Sequence, residues 1–314
     1  MRNTFKHVKG GKPLFFNSQS DHKRYLTLQE IKEIASQVFG KEPEEVQFFS
    51  QSKFGLCSYK IFYPGSDHEV IKCRECFSED SAKNIEELTA NLNKNGIRIV
   101  SVLGRYKHLL FLKWINGESV KLSDFLKKPD FLEKLVKYQV AIHSCSLSER
   151  FFNKGTESPY FDFLKKRFVF FASKYIKLLE IQNIVEAIEK MTPTSDLSVT
   201  YPDFTIENII LENGEPILID SETLNVDTDY EYDIMNAQKS FFPHSKALQN
   251  YYLSLYKKYR SVRTLESNHD YWELVYLLRS AGSRFQEQDP QEGKKLMNTL
   301  QTKIKALREK RSLS

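Results

Sequence analysis

Cysteine is scarce in this chain: four in 314 residues, at Cys57, Cys73, Cys76 and Cys145. Four thiols are too few to staple a chain of this length, and such usage suits a reducing compartment. Cys73 and Cys76 form a C-x-x-C, but no second Cys or His pair follows at zinc-site spacing. The pair therefore reads as two ordinary thiols rather than a metal or redox centre. Long apolar runs are missing too. Nothing approaches the ~20 residues of a transmembrane helix. The opening MRNTFKHVKGGKPLFF lacks the continuous apolar stretch of a signal peptide. These absences predict a soluble, cytoplasmic protein with no membrane insertion. Strong charge of one sign is also lacking, since the net charge is +5. Much of that excess lies from Lys294 onward, where seven Lys or Arg accompany a single acid, Glu309. That stretch reads as a solvated helix and tail, and no nucleic-acid partner is expected. No repeat of 20–50 residues is visible.

What is present fits one large or two modest domains with real cores. Hydrophobic residues make up 40% and charged residues 28%, with 23 Phe and 16 Tyr. Residues 1–27 are polar and read as an extension. In LTLQEIKEIASQVFG, Thr27 is placed to cap a helix, the apolar spacing is helical, and Gly40 stops it. Three strand-like runs follow, VQFFSQ, LCSYKIFY and EVIKCREC, separated by Phe54-Gly55 and by Pro64-Gly65-Ser66-Asp67. A helix from about Ser81 to Asn93 comes next, then two strands, IRIVSVLG and HLLFLKWI. After Asn116-Gly117 the periodicity turns helical, broken only by a second β segment at 199–219. The expected fold class is α+β: a small antiparallel lobe over 28–116 and a larger, mainly helical lobe over 117–314.

The most informative stretch is VTYPDFTIENIILENGEPILIDSE. IILE and EPILI are short strands joined by Asn213-Gly214, the strongest short hairpin signal. A two-residue turn fixes the register, so Asn208 faces Ile219 and Glu207 faces Asp220. Asn208 and Asp220 then leave the hairpin at one end, with Cα atoms within roughly 4.5–7 Å. Asp203 lies on the loop feeding that end. Two carboxylates and a carboxamide are the oxygen donors a hard cation takes, usually one or two of them alongside phosphate oxygens. The remaining carboxylate is left to accept a proton. The same pattern also fits a surface hairpin with polar ends.

The order of motifs resembles the kinase-like superfamily of aminoglycoside phosphotransferases and choline kinases. That family carries H-x-D-x-x-x-x-N, then a hairpin, then I-D-x-E/D; this chain has YPDFTIEN, IILENGEPIL and IDSE. The resemblance implies a two-lobed protein-kinase-like fold and an ATP- and Mg2+-dependent transfer to a small-molecule hydroxyl. It makes Asp203 the catalytic base or hydroxyl-orienting carboxylate. Asn208, Asp220 and Glu222 become the metal side, and Asp233 a structural acid at a helix start. Lys72 would meet the phosphates and Glu86, or Glu87 beside it, would hold that lysine. SKFGLCSYKI resembles the phosphate-covering loop, with Gly55 and Ser58 facing the nucleotide. LLFLKWING resembles the hinge, with Phe111 to Lys113 offering backbone bonds to adenine. LVKYQVAIHS resembles a family helix in which His143 is a buried structural histidine. The family's histidine before the catalytic aspartate is Tyr201 here.

The acceptor is less specified. The acidic run Asp227, Asp229, Glu231 and Asp233 would suit a cationic amino alcohol or amino sugar. Tyr251, Tyr252, Tyr256, Tyr271 and Trp272 would stack on a sugar, cage an amine or simply fill the core. A protein Ser/Thr kinase would show a long activation segment, yet only about a dozen residues separate Asp220 from Asp233. A weak, nucleotide-binding pseudokinase is the other alternative, kept open by Tyr201.

Overall fold

The computed structural model describes residues 26–51, 56–65, 70–76, 78–127, 129–145, 159–193, 197–221, 224–262 and 265–312. The chain forms two compact units. Of the described residues, one unit holds those up to Pro129 together with those of Thr205–Leu224; the other holds those of Asp130–Phe204 and those from Asn225 onward. The hairpin singled out above thus groups with the first unit, although the helical sequence surrounds it.

The first unit opens with α1 (Leu28–Phe39). Thr27 and Glu30 form a reciprocal cap: Glu30 N–H donates to Thr27 Oγ1 at 3.1 Å, and Thr27 N–H to Glu30 Oε2 at 2.9 Å. Gly40, at φ 66°, ends the helix in the left-handed region. Strands β1 (Glu45–Gln51), β2 (Cys57–Phe62), β3 (Val70–Glu75), β4 (Val102–Tyr106) and β5 (Leu109–Lys113) make an antiparallel sheet of order β1-β2-β3-β5-β4. Strand alternation sorts its faces. Cys57, Tyr59 and Ile61 of β2, Ile71 and Cys73 of β3, and Leu109 and Phe111 of β5 pack against Ile31 and Ala35 of α1. Each large apolar side chain buried there contributes about 1.5–3 kcal/mol. The even-numbered positions, Ser58, Lys60, Lys72 and Arg74, therefore line the opposite face, with Ser58 paired to Arg74 and Lys60 to Lys72 across the strands.

Helix α2 (Glu79–Lys94) begins two residues earlier than its periodicity indicates, because Ser78 caps it by accepting the Ser81 N–H. One expected strand is divided. Only Val102–Tyr106 joins the sheet, whereas Ile99 bridges Leu218 in parallel. Val100 N–H donates to Leu218 O at 2.8 Å and Leu218 N–H to Arg98 O at 2.9 Å. Ile97, Ile99 and Val100 are buried. An apolar run states that it will be covered, not by which partner.

The hairpin consists of β8 (Ile209–Glu212) and β9 (Glu215–Leu218), and short β6 (Glu118–Ser119) pairs with β8. Gly117 makes that approach possible: a Cβ there would sit 2.4 Å from both Leu211 O and Ile210 Cγ2. Helix α3 (Leu122–Lys127) closes this unit.

The second unit is mainly helical: α4 (Pro129–His143), α5 (Pro159–Ala172), α6 (Leu178–Glu189), α7 (Tyr230–Phe241), α8 (Lys246–Tyr259), α9 (Leu265–Gln286) and α10 (Pro290–Ser312). Strands β7 (Leu197–Thr200) and β10 (Asn225–Asp229) pair antiparallel within it. Most of α7 is buried, polar residues included. Among the described residues no helix is long and apolar enough to cross a membrane.

Candidate active site

Hairpin register places the first group of residues. Asn213 and Gly214 adopt φ 55° and 77°, the left-handed pair a two-residue I′ turn requires. Ile209 pairs with Leu218, Ile210 with Ile217, Leu211 with Pro216 and Glu212 with Glu215. Ile219 N–H donates to Asn208 O at 3.0 Å, so the expected register extends past the last ladder pair. Asn208 and Asp220 thereby stand at the same end of the hairpin. Asp220 is a non-glycine residue at φ 66°. Such a conformation costs free energy that its surroundings must supply.

A cation supplies part of it. The Arg74 guanidinium forms an ion pair with Asp220 Oδ1; the Arg74 side chain is 9% exposed and that of Asp220 27%. Beside it, Glu75 is buried and its Oε2 accepts the Cys57 N–H at 3.0 Å, which anchors the start of β2. Buried Ser58 lies opposite Arg74. Lys72, two residues earlier on the same face, sits opposite Lys60. Like charges directly opposed across strands are destabilising, and Lys60 meets part of that cost by lying 4.3 Å from the Trp114 ring centroid and 4.8 Å from that of Phe49. One sheet face thus carries Lys60, Lys72 and Arg74. This is an anion-attracting surface with an acid at its margin.

The remaining residues expected on the nucleotide side fall as follows. Glu86 Oε2 accepts from Arg105 Nε at 2.8 Å. Arg105 shares the face of Arg74 through the ladder pairs Arg105–Leu110 and Arg74–Leu110, so Glu86 answers a different cation from the expected lysine. Phe111 is buried in the core, and β5 has a strand on both sides. Lys113 N–H donates to Ser101 O at 2.9 Å, so that donor is already engaged. The Lys113 side chain is 3.5 Å from Glu212. The chain leaves the sheet only after Lys113. Gly55 and Glu222 lie outside the described residues.

The second unit builds the surroundings of Asp203. Arg279 of α9 donates from Nη2 to Asp203 Oδ1 at 2.8 Å and from Nη1 to Asn236 Oδ1 at 3.0 Å. Asn236 in turn donates a short hydrogen bond to Pro202 O. One guanidinium therefore holds the carboxylate directly and, through Asn236, the loop that carries it. Behind them Asp233 Oδ2 accepts the Tyr201 N–H at 2.8 Å and contacts His143 Nε2 at 2.9 Å. A carboxylate only accepts, so the network puts the proton on Nε2, and neutral Nδ1 accepts from the Tyr256 hydroxyl at 2.7 Å. Burial pushes the His143 pKa below its usual 6.5, although the Asp233 hydrogen bond and charge pull it upward. Tyr201 is itself buried, with its ring edge-on to Phe204 at 6.2 Å. The loop is braced through the Tyr201 backbone and its packing, without a histidine at that position.

Arg74 and Arg279 were missed from sequence. Each had a signal. Arg74 shares the face of Lys72 by strand alternation, and Arg279 lies four residues after Val275 and seven after Trp272, on a helix stripe that is otherwise buried. A charged residue at such a position asks for a partner.

No protein-family model and no curated protein matches the sequence. Solved structures do. An amicoumacin kinase in complex with AMP-PNP, Ca2+ and Ami aligns at 12% identity with a TM-score of 0.65, covering 88% of this chain and 92% of that one. A choline kinase from Streptococcus pneumoniae aligns at 12% identity and TM-score 0.62, covering 88% and 98%. An ethanolamine kinase from Plasmodium vivax aligns at 14% identity and TM-score 0.60, covering 83% and 82%. The chain has the α+β, kinase-like fold of these proteins.

Proposed function

We propose that this chain is a phosphotransferase that uses ATP and Mg2+ to phosphorylate a hydroxyl of a small molecule. The observation that carries the reading is the Arg74–Asp220 pair at the Asn208 end of the hairpin, at the margin of a face bearing Lys60 and Lys72. Hard oxygen donors beside fixed cations are what a metal-bound polyphosphate requires. The fold supports the reading, since structures sharing it were solved with AMP-PNP or ADP.

The donor set fits a divalent cation. Asn208 offers a carboxamide oxygen and Asp220 a carboxylate, with Glu222 completing the set by resemblance. When bound, magnesium neutralises charge on the phosphate oxygens. Arg74 and Lys72 serve the polyphosphate as fixed positive charges, with Arg74 paired to the proposed metal ligand Asp220. Asp203 precedes Asn208 by five residues in the chain and orients the acceptor hydroxyl. In the transfer, the hydroxyl oxygen bonds to the γ-phosphorus. The bond from that phosphorus to the bridging oxygen breaks, its electron pair staying on ADP, and the hydroxyl proton passes to Asp203.

The test pairs nucleotide binding with turnover. Mg-ATP should raise the melting temperature of the protein, and Asp203→Asn should keep that shift while losing transfer by a hundredfold or more, the usual weight of a positioned acid–base group. Absence of a shift at millimolar nucleotide refutes the reading. Full activity in Asp203→Asn refutes the role given to that residue.

A further inference from the structure

The acidic run that would have seated a cationic acceptor is turned inward. Asp229 is buried and its Oδ1 accepts the Glu231 N–H at 2.8 Å. Glu231 is buried and its Oε2 accepts from the Trp272 indole at 2.7 Å and from the Asn268 amide at 3.1 Å. Asp233 is fully buried on His143 and the Tyr201 N–H. The side chain of Asp227 lies outside the described residues. Three of the four carboxylates are thus spent on holding the second unit together. The aromatic residues follow the same course: Tyr252, Tyr256, Tyr271 and Trp272 are buried, while Tyr251 is exposed.

The charge that does stand at Asp203 is positive. Arg279 reaches it at 2.8 Å, and the two side chains are 21% and 33% exposed, so both are accessible to a solute. Resting on the phosphotransferase reading above, we propose that Arg279 sets the acceptor class. The hydroxyl presented to Asp203 belongs to a neutral or anionic small molecule, a polyol, sugar, hydroxy acid or sugar phosphate, and ammonium-bearing acceptors are rejected. The reason is proximity. An acceptor that puts its hydroxyl on Asp203 brings the atoms one to three bonds away alongside the guanidinium. An ammonium at those atoms meets a like charge. A carboxylate or phosphate meets a planar, permanently charged fork that matches its geometry. Selectivity of this kind comes as much from the repelled class as from the attracted one. Arg279 also fixes Asp203 through Asn236 and Pro202 O, so it positions the base as well as sorting the acceptor.

The experiment measures ADP release from Mg-ATP with a panel of hydroxy compounds in three charge classes. Choline and an aminoglycoside represent the cations, glycerol and glucose the neutral class, glycerate and ribose 5-phosphate the anions. Wild type, Arg279→Gln and Arg279→Lys are compared, with binding of the same compounds followed by calorimetry in the presence of Mg-ADP. Release in wild type is expected with neutral or anionic compounds. Arg279→Gln should raise the KM for anionic acceptors tenfold or more and lower kcat less, while Arg279→Lys should recover most of the KM. Should Arg279→Gln not fold, Arg279→Lys, which keeps the charge, must still prefer anionic over cationic compounds. Best turnover with the cationic class overturns the proposal. So does an unchanged KM for anions in Arg279→Gln, or an intact nucleotide shift with no response to any neutral or anionic compound. Loss of nucleotide binding in wild type brings down the phosphotransferase reading itself, and is seen separately from those outcomes.

Discussion

Arg74, the penultimate residue of β3, holds the carboxylate of Asp220, a residue fixed in the left-handed region just past the end of β9. The pair joins the sheet to the hairpin inside one compact unit. It also sets a basic group beside the proposed metal ligands before any ligand arrives. A polyanion approaching Asp220 with a cation would find the position already partly neutralised, with the guanidinium poised to turn to a phosphate oxygen.

Two basic residues of β3 share a face, and they should not contribute equally. Arg74→Gln should weaken Mg-ATP binding tenfold or more, read by calorimetry or by the nucleotide-dependent melting shift. Lys72→Gln should weaken it less, because Arg74 is buried and already ion-paired to Asp220, which fixes its guanidinium in place. Arg74→Gln should also lower stability by about 1–3 kcal/mol, since it removes a charged partner from a partly buried carboxylate. Equal losses from the two variants would mean that Lys72 carries as much of the phosphate role as Arg74.

Asp220 carries two features that substitutions separate. Asp220→Ala and Asp220→Gly both remove the carboxylate and should both abolish the magnesium-dependent part of nucleotide binding. They should differ in stability. Glycine accepts φ 66° without a Cβ penalty, so Asp220→Gly should be the more stable variant by about 1 kcal/mol in chemical unfolding. If alanine proves as stable as glycine, the left-handed backbone does not persist in solution.

Gly117 offers a test of the β6–β8 contact that needs no ligand. A Cβ at this position would overlap the Leu211 carbonyl and the Ile210 side chain, and a backbone oxygen cannot step aside by changing rotamer. Gly117→Ala should therefore cost about 1–3 kcal/mol, the usual penalty of forcing an extra methyl into a packed contact. Denaturant unfolding measures it. A neutral result would mean that β6 lifts away from β8 at little cost.

Much of the first unit was legible because its signals are local. Thr27 with Glu30 fixes a helix start, and Asn213-Gly214 dictates a turn whose length sets every pair down to Ile219 and Asn208. Strand alternation likewise separates Tyr59 and Ile61 from Ser58 and Lys60. What the sequence withheld are partnerships between distant segments. Nothing local says that Ile99 will bridge Leu218 rather than extend β4, that Glu86 will meet Arg105, or that Arg279 will reach Asp203. Those choices depend on which apolar surfaces come together. The acidic run misled for the same reason. By sequence the run would suit a cationic acceptor, yet Asp229, Glu231 and Asp233 each have a designated donor that lets them be buried, in keeping with the structural place the resemblance gives Asp233.

The network behind Asp203 should make stability depend on pH in a definite direction. His143 is fully buried between Asp233 and Tyr256, with the Tyr230 ring centroid 5.8 Å away, and burial holds its pKa below 6.5. The unfolded chain therefore takes up a proton at this histidine as pH falls through about 6.5, while the folded chain does not until lower pH. The unfolded state binds more protons in that window, so folding stability falls as pH falls. The loss from this one group is at most about 1.4 kcal/mol per pH unit and stops once the folded-state pKa is passed. His143→Gln removes the group and should flatten the melting-temperature profile between pH 7 and pH 5 relative to wild type, at the cost of a lower value at pH 7. A variant profile parallel to wild type would show that other groups set the dependence. A wild-type profile that rises toward pH 5 would mean that Asp233 outweighs burial and that the histidine is held as a cation.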